Sequence, residues 1–160
     1  MPNHMTNKFF KSESITENDL FFVCYMIERV ARKLHQPNKY VVEAMGYEEL
    51  YRQLSLASVL HSENPLGVEN EWIEENKLVK GNVDVMNVRS DLNVHIPSAT
   101  QMGKVYKRLI MSTMANGEDW VKALIRVYSN PICETLDNYN TSAFYEPSPV
   151  IARAYATGAF

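Results

Sequence analysis

Apolar residues recur at helical spacing along most of this chain, and the clearest pattern begins after Thr16. The recurring apolar positions of this first segment are Leu20, Val23, Ile27, Val30, Ala31 and Leu34, widened by Phe22 and Met26. A spacing of three to four residues predicts an amphipathic helix. Thr16 is a favourable N-cap, and Glu17 and Asp19 place acidic groups in the first turn, where the helix dipole favours negative charge. The helix is expected to end before Pro37, because the residue that precedes a proline disfavours helical geometry.

Shorter segments with the same periodicity follow, separated by glycine, asparagine and proline. They cover approximately residues 38–45, 47–60, 69–76, 98–115, 118–128, 132–139 and 148–158. Gly46 is expected to be the left-handed residue that ends the first of them. Val83 and Val85 alternate with a polar residue, which favours a short extended segment near residues 82–88. The chain is therefore predicted to be all-α or nearly so, a compact bundle of about six to seven helices.

The predicted domain organisation is one domain preceded by an arm. Residues 1–13 lack periodicity and are expected to form a flexible arm, and residues 14–160 are expected to form a single helical domain. The break in the middle leaves an alternative in which two halves, 14–78 and 92–158, share one core. The chain has 160 residues, of which 46% are hydrophobic and 22% are charged. These values are ordinary for a globular domain that needs no metal or disulfide to fold.

Composition also bears on where the protein acts. The longest apolar run, residues 20–27, is too short for a membrane-spanning helix, which needs about twenty residues. The N-terminal residues show no secretion signal. Cys24 and Cys133 both lie in apolar surroundings, so reduced and buried thiols are expected. These features predict a cytoplasmic protein that does not associate with membranes.

Charge is distributed unevenly, although the net charge is only −3 and the isoelectric point is about 5.8. Acidic residues dominate between residues 39 and 91, and basic residues dominate from 104 to 126. The basic residues are Lys104, Lys107, Arg108, Lys122 and Arg126. Such segregation is typical of exposed helix faces, and it also suits self-association or the attraction of a charged partner.

The sequence shows no complete motif for catalysis or cofactor binding. The four histidines form no i, i+4 pair of metal ligands. His61-Ser62-Glu63 and Cys133 match parts of a zinc-deaminase signature, but Leu136 stands where a second cysteine ligand is required. Cys133 would need a neighbouring base to act as a nucleophile, and the sequence places none beside it. No glycine-rich phosphate-binding loop is present. We therefore expect no catalytic residues, no cofactor and no metal.

Residues 137–147 mix aromatic, amide and hydroxyl side chains, a composition that suits a protein interface. The candidate partner surface comprises Tyr139, Phe144, Tyr145, Lys104, Lys107 and Arg108. The alternative for the aromatic residues is a packed loop whose tyrosines cover helix ends. The three basic residues also allow nucleic-acid binding, because they share one helix face and would contact successive phosphates. The acidic isoelectric point weighs against nucleic acid.

Three stretches in the first half resemble a family of short helical bacterial proteins of unknown function. They are Phe22-Val23-Cys24-Tyr25-Met26-Ile27-Glu28, Tyr40-Val41-Val42-Glu43 and Leu60-His61, and the resemblance covers about residues 17–76. Members of that family are often encoded beside proteins that resemble ADP-ribosyltransferase toxins. The resemblance therefore implies an antitoxin-like or accessory role.

These features together favour a non-enzymatic bacterial protein-interaction module that binds a protein partner or a second copy of itself. The first alternative is an enzyme with an unfamiliar polar site near His61 and Glu63. The second alternative is a nucleic-acid-binding protein that uses Lys104, Lys107 and Arg108.

Overall fold

The computed structural model describes residues 4–89 and 95–160 of the chain. Within these residues, the elements are β1 His4–Thr6, β2 Ser14–Thr16, α1 Glu17–Leu34, α2 Asn38–Leu60, α3 Pro65–Glu75, α4 Ala99–Thr113, α5 Trp120–Tyr128, α6 Ile132–Leu136 and α7 Ser148–Thr157, with a 3₁₀ turn at Ala143–Tyr145. The predicted helical fold is confirmed. One continuous hydrophobic cluster contains residues of all seven helices, including those of both predicted halves.

Helix α1 lies at the centre and packs against α2, α3 and α4. Its start is fixed as predicted: the Asp19 backbone N–H donates to the Thr16 hydroxyl, and the Thr16 N–H donates to the Asp19 carboxylate at 2.9 Å. Helix α4 approaches α1 closely at Gly103, where a Cβ atom would lie 3.0 Å from the Tyr25 backbone. The glycine therefore allows the two helix backbones to pack at this distance.

Helix α2 joins the two predicted helices 38–45 and 47–60 across a kink. At the kink, Gly46 has φ 77° and ψ 175°, a combination that only glycine adopts readily. The expected helix boundary is thus present as a change of direction. Its geometry differs from the expected left-handed cap, because ψ is extended rather than near 45°. Helix α3 also begins four residues earlier than predicted, at Pro65, where Asn64 provides the N-cap.

Residues 4–13 of the predicted arm contact the helical domain. Strands β1 and β2 pair antiparallel, with Met5 opposite Ile15. The buried Asn7 side chain accepts hydrogen bonds from the Phe9 and Phe10 N–H groups and donates to the Ser55 carbonyl of α2. These bonds attach the hairpin to the helical domain. Residues 1–3 of the predicted arm lie outside the described residues.

The stretch after α3 contains no strand among its described residues, 76–89. Its backbone is instead attached to the end of α1. The Gly81 N–H donates to the Leu34 carbonyl at 2.7 Å, and the Val83 N–H donates to the His35 carbonyl at 2.8 Å. The segment near 82–88, expected to be extended, is irregular and lies beside the α1–α2 connection. None of the helices in the described part of the chain is both long and apolar enough to cross a membrane.

Candidate functional site

A cavity of about 470 Å³ lies between the end of α1, the start of α2, residues 83–87 and residues 128–140. Its apolar lining comes from Ala31, Pro37, Val83, Val85 and Pro131. Charged and amide side chains also line it, several of them buried. A space of this size, with apolar walls and a few convergent polar groups, is typical of small-molecule sites.

Glu28 is the central polar residue of the cavity floor and is only 2% exposed. One carboxylate oxygen accepts from the Asn38 amide at 3.0 Å. The other accepts from Arg32 Nε at 2.7 Å and from the Tyr139 hydroxyl at 2.7 Å. Arg32 Nη2 also donates to the Pro97 carbonyl at 2.8 Å. The Glu28 carboxylate therefore has its counterion and its hydrogen bonds within the fold.

Asp137 is the second carboxyl group of the floor, and its surroundings differ. It accepts from the Tyr106 hydroxyl at 2.6 Å and from the Asn38 amide at 3.2 Å. Within the described residues it forms no ion pair with a lysine or arginine. Burial raises the pKa of Asp137 well above its ordinary value and the Glu28 charge raises it further, while the two hydrogen bonds and Arg32 lower it only in part. Asp137 is thus an acid without a full counterion.

Tyr128 also lines the cavity, and its hydroxyl is buried in the adjoining core. Its ring stacks on Tyr106 with centroids 4.2 Å apart. Its hydroxyl is buried and has no hydrogen-bond partner among the described residues. Burial raises the pKa of Cys24 to about 12, and the nearby Tyr128 hydroxyl, outside hydrogen-bond geometry, lowers it only in part. A buried hydroxyl without a partner costs free energy unless something else satisfies it.

Cys133 lies at the other side of the floor and is buried. Burial raises its pKa to about 12, and the neighbouring Asp137 charge raises it as well. Its sulfur contacts the Val127 carbonyl at 3.1 Å. Burial therefore favours the protonated thiol of Cys133.

The three aromatic residues of the predicted partner surface differ in their exposure. Tyr139 and Phe144 are buried, at 1% and 4% exposure, whereas Tyr145 is 56% exposed. Tyr139 is held inside by Glu28 and by Arg32, whose Nη2 lies 3.1 Å from its hydroxyl. Tyr139 and Phe144 are thus corrected from surface residues to packed ones, as the packed-loop alternative expected.

A second groove brings together other members of the predicted partner surface. It has a volume of about 270 Å³, and Lys104, Arg108, Phe144 and Tyr145 all line it. Lys104 and Arg108 are exposed and form no ion pair within the described residues. Lys107 lies apart from the groove and pairs with Glu17 at 3.7 Å. The structure therefore assembles part of this set into one surface.

The alternative site near His61 and Glu63 finds no support in the geometry. Both residues are exposed after the end of α2, and the His61 ring packs on Phe22 with centroids 4.5 Å apart. Neither lines the two cavities described above. Leu136 is fully buried, and the described residues contain no cluster of metal-ligating side chains.

Sequence reasoning missed Glu28, Arg32, Asn38 and Asp137. A signal for Glu28 exists: it stands four residues after Cys24 and three before Ala31, on the apolar face of α1. Charged residues at such positions are buried and paired. Asp137 has no comparable signal, because it follows a helix of only five residues.

The fold and the site define a small helical protein whose core contains a polar cluster beneath an open cavity. Comparison with family models, with curated proteins and with solved structures finds no match to this chain.

Proposed function

We propose that this protein is a binding module and that the cavity above Glu28 and Asp137 is its ligand site. The observation that carries the proposal is the combination of about 470 Å³ of space with buried polar groups on its floor. Glu28 and Arg32 form a preformed polar base that needs no rearrangement. Asp137 accepts only two hydrogen bonds from the described residues and retains hydrogen-bonding capacity for a ligand.

The energetic argument supports ligand recognition over a purely structural role. Burying charged groups costs free energy even when they are paired, and apolar residues of similar volume often stabilise a core as well or better. If the buried polar cluster had only a structural role, the adjacent cavity would add nothing to the stability of the fold. A polar floor beneath an open cavity provides both orientation and specificity for a bound molecule.

A fragment screen with a cavity-blocking variant tests this proposal. Val83 lines the cavity and is exposed, so Val83→Trp is expected to fill its mouth without disturbing Glu28 or Asp137. Val79→Trp is the matched control, since Val79 is exposed in the same segment and does not line the cavity. At ten times its Kd, a ligand stabilises the fold by about 1.4 kcal/mol, which corresponds to a Tm increase of roughly 3–6 °C.

Ligands that bind in the cavity are expected to stabilise the wild-type protein and the Val79→Trp variant and to lose their effect on Val83→Trp. Ligands that stabilise all three proteins equally would bind elsewhere. That result, or the absence of any stabilising fragment, would contradict the proposed site.

The groove lined by Lys104, Arg108 and Tyr145 supports a second candidate function, binding of a protein partner through an acidic segment. Its two exposed basic side chains lie beside a half-exposed aromatic ring, a combination typical of interface anchors. An antitoxin-like or accessory role, as the family resemblance implies, would use such a surface, and so would self-association.

Charge reversal tests this second candidate. Lys104→Glu with Arg108→Glu is expected to remove a protein that co-purifies with the wild-type chain, or to remove dimers detected by light scattering. Lys122→Glu is the control, because Lys122 is exposed on α5 outside the groove. Binding to nucleic acid that weakens steeply with salt and is lost in the double variant would instead assign the groove to phosphate recognition.

A further inference from the structure

The charges that line the cavity are not balanced. Four carboxyl groups line it, those of Glu28, Asp84, Glu134 and Asp137, against two basic groups, Arg32 and Lys39. Arg32 is bound to Glu28. Lys39 lies 3.7 Å from Glu43 on the exposed side of α2. The cavity therefore has an excess of two carboxyl groups, and among those without an ion pair in the described residues Asp137 is half-buried whereas Asp84 and Glu134 are exposed.

The Tyr128 hydroxyl lies near Asp137 but faces Cys24 in the core. It is buried, it belongs to a residue that lines the cavity, and it has no partner among the described residues. Asp137 is therefore the group on the cavity floor that has no counterion among the described residues.

We propose that the cavity binds a small organic cation, a primary amine on an apolar body, whose ammonium group supplies the missing counterion of Asp137. The inference rests on the proposed ligand site. Ala31, Pro37 and Val83 provide apolar surface for the body of the ligand. The ammonium group has three donors, which suit the oxygens of the Asp137 carboxylate.

Binding of the cation is coupled to a proton. The groups that surround the Asp137 carboxyl are Glu28 and Arg32 of α1, Asn38 of α2, Tyr106 of α4, Tyr128 of α5, Cys133 of α6 and Tyr139 of the following loop. In the free protein this environment favours the protonated acid. The bound ammonium favours the carboxylate, so the proton leaves to solvent as the ion pair forms. The affinity for the amine is therefore expected to rise with pH, by up to about tenfold per unit, until Asp137 is ionised or the amine loses its own proton.

Three probes with the same carbon skeleton test the inference: benzylamine, benzyl alcohol and benzoate. Their binding to the full chain is followed by amide chemical shifts in ¹H–¹⁵N NMR spectra. Benzylamine is expected to shift the amides around Asn38, Ser129 and Asn138, with a Kd at least about tenfold lower than that of benzyl alcohol. In a pH titration, binding of the amine alone is expected to strengthen as the pH rises, because Asp137 must lose its proton to pair with it.

Variants separate Asp137 from the other carboxyl groups of the cavity. Asp137→Asn is expected to remove the preference for the amine over the alcohol. Glu134→Gln is the control, since Glu134 is an exposed lining residue, and it is expected to keep that preference. Tyr128→Phe is a second control, since it leaves the Asp137 hydrogen bonds intact, and it is expected to keep that preference as well.

The outcomes distinguish this inference from the proposed function. If benzyl alcohol or benzoate shifts the same amides at equal or lower concentration, the cavity is a ligand site but its ligand is not a cation. If none of the probes shifts these amides at concentrations up to about 10 mM, where fragments of this size normally bind, both proposals are overturned.

Discussion

The sharpest test of the polar core is the substitution Glu28→Gln. The change keeps the size of the side chain but removes the charge that balances Arg32. It also replaces one acceptor oxygen by an amide donor. That donor must then face either Arg32 Nε and the Tyr139 hydroxyl or the Asn38 amide, all of which donate to Glu28 in the wild-type protein.

The expected cost follows from burial. The side chains of Glu28 and Arg32 are 3% and 15% exposed, so water screens their interaction little and can replace it only in part. Removing one partner of a buried ion pair costs about 3–5 kcal/mol. For a chain of this length, that corresponds to a decrease in Tm of roughly 6–20 °C.

A matched control is available in the pair Lys39–Glu43. It also joins positions four residues apart on a helix, but its side chains are 56% and 59% exposed. Exposed pairs of this kind contribute about 0.3–0.5 kcal/mol, so Glu43→Gln is expected to leave the free energy of unfolding nearly unchanged. The two substitutions differ in burial and in the hydrogen bonds that Glu28 accepts from Asn38 and Tyr139.

The assay is urea unfolding followed by tryptophan fluorescence, because Trp72 and Trp120 are both buried in the folded protein. The double variant Glu28→Met with Arg32→Met is expected to recover part of the loss, since it leaves no unpaired charge. A cost below about 1 kcal/mol for Glu28→Gln, at an unchanged dependence on urea concentration, would refute the reasoning that this pair is buried and mutually dependent.

Three further predictions concern packing, thiols and pH. Gly103→Ala is expected to lower the free energy of unfolding by roughly 1–3 kcal/mol, because the new Cβ would press on the backbone of α1. Gly67→Ala places no atom against a neighbour and is expected to stabilise α3 by up to about 1 kcal/mol. Urea unfolding measures both changes. Cys24 and Cys133 are expected to resist thiol reagents in the folded protein and to react on denaturation, since burial raises the pKa of each to about 12; a colorimetric thiol assay with and without urea shows this. Burial raises the pKa of Asp137 well above 3.8, so the folded protein binds more protons than the unfolded chain between that value and the raised pKa. The stability contributed by Asp137 therefore falls as pH rises through this window. Unfolding curves measured across this pH range are expected to show a smaller decrease in stability for Asp137→Asn than for the wild-type protein.

The sequence was sufficient for those elements whose signals are local. Helix α1 has its cap, its apolar face and its C-terminal boundary within about twenty residues, and the structure places all three where the periodicity predicts them. The hairpin was missed for the opposite reason. Its strands have three residues each, and what holds it is the bond from Asn7 to the Ser55 carbonyl, 48 positions away in the chain.

The site was harder to predict because its members are brought together by the tertiary fold. Tyr139 illustrates the difficulty. It lies in a polar, aromatic segment typical of an exposed loop, but its hydroxyl binds a carboxylate 111 positions earlier in the chain. Composition cannot distinguish a tyrosine that faces solvent from one that completes a polar core, because both need a polar partner and only the tertiary structure determines which partner is available.

Glu28 illustrates which features of the site can be predicted from the sequence and which cannot. The Glu28–Arg32 and Lys39–Glu43 pairs have the same spacing, so charge spacing alone predicts the same weak surface interaction for both. What differs is the register of each acid relative to the apolar face of its helix. Glu28 replaces an apolar residue on that face, and a helix tolerates this only if the fold supplies partners for the charge. A charged residue in the apolar register therefore predicts a buried polar cluster, although it leaves the identity of the partners to the rest of the fold.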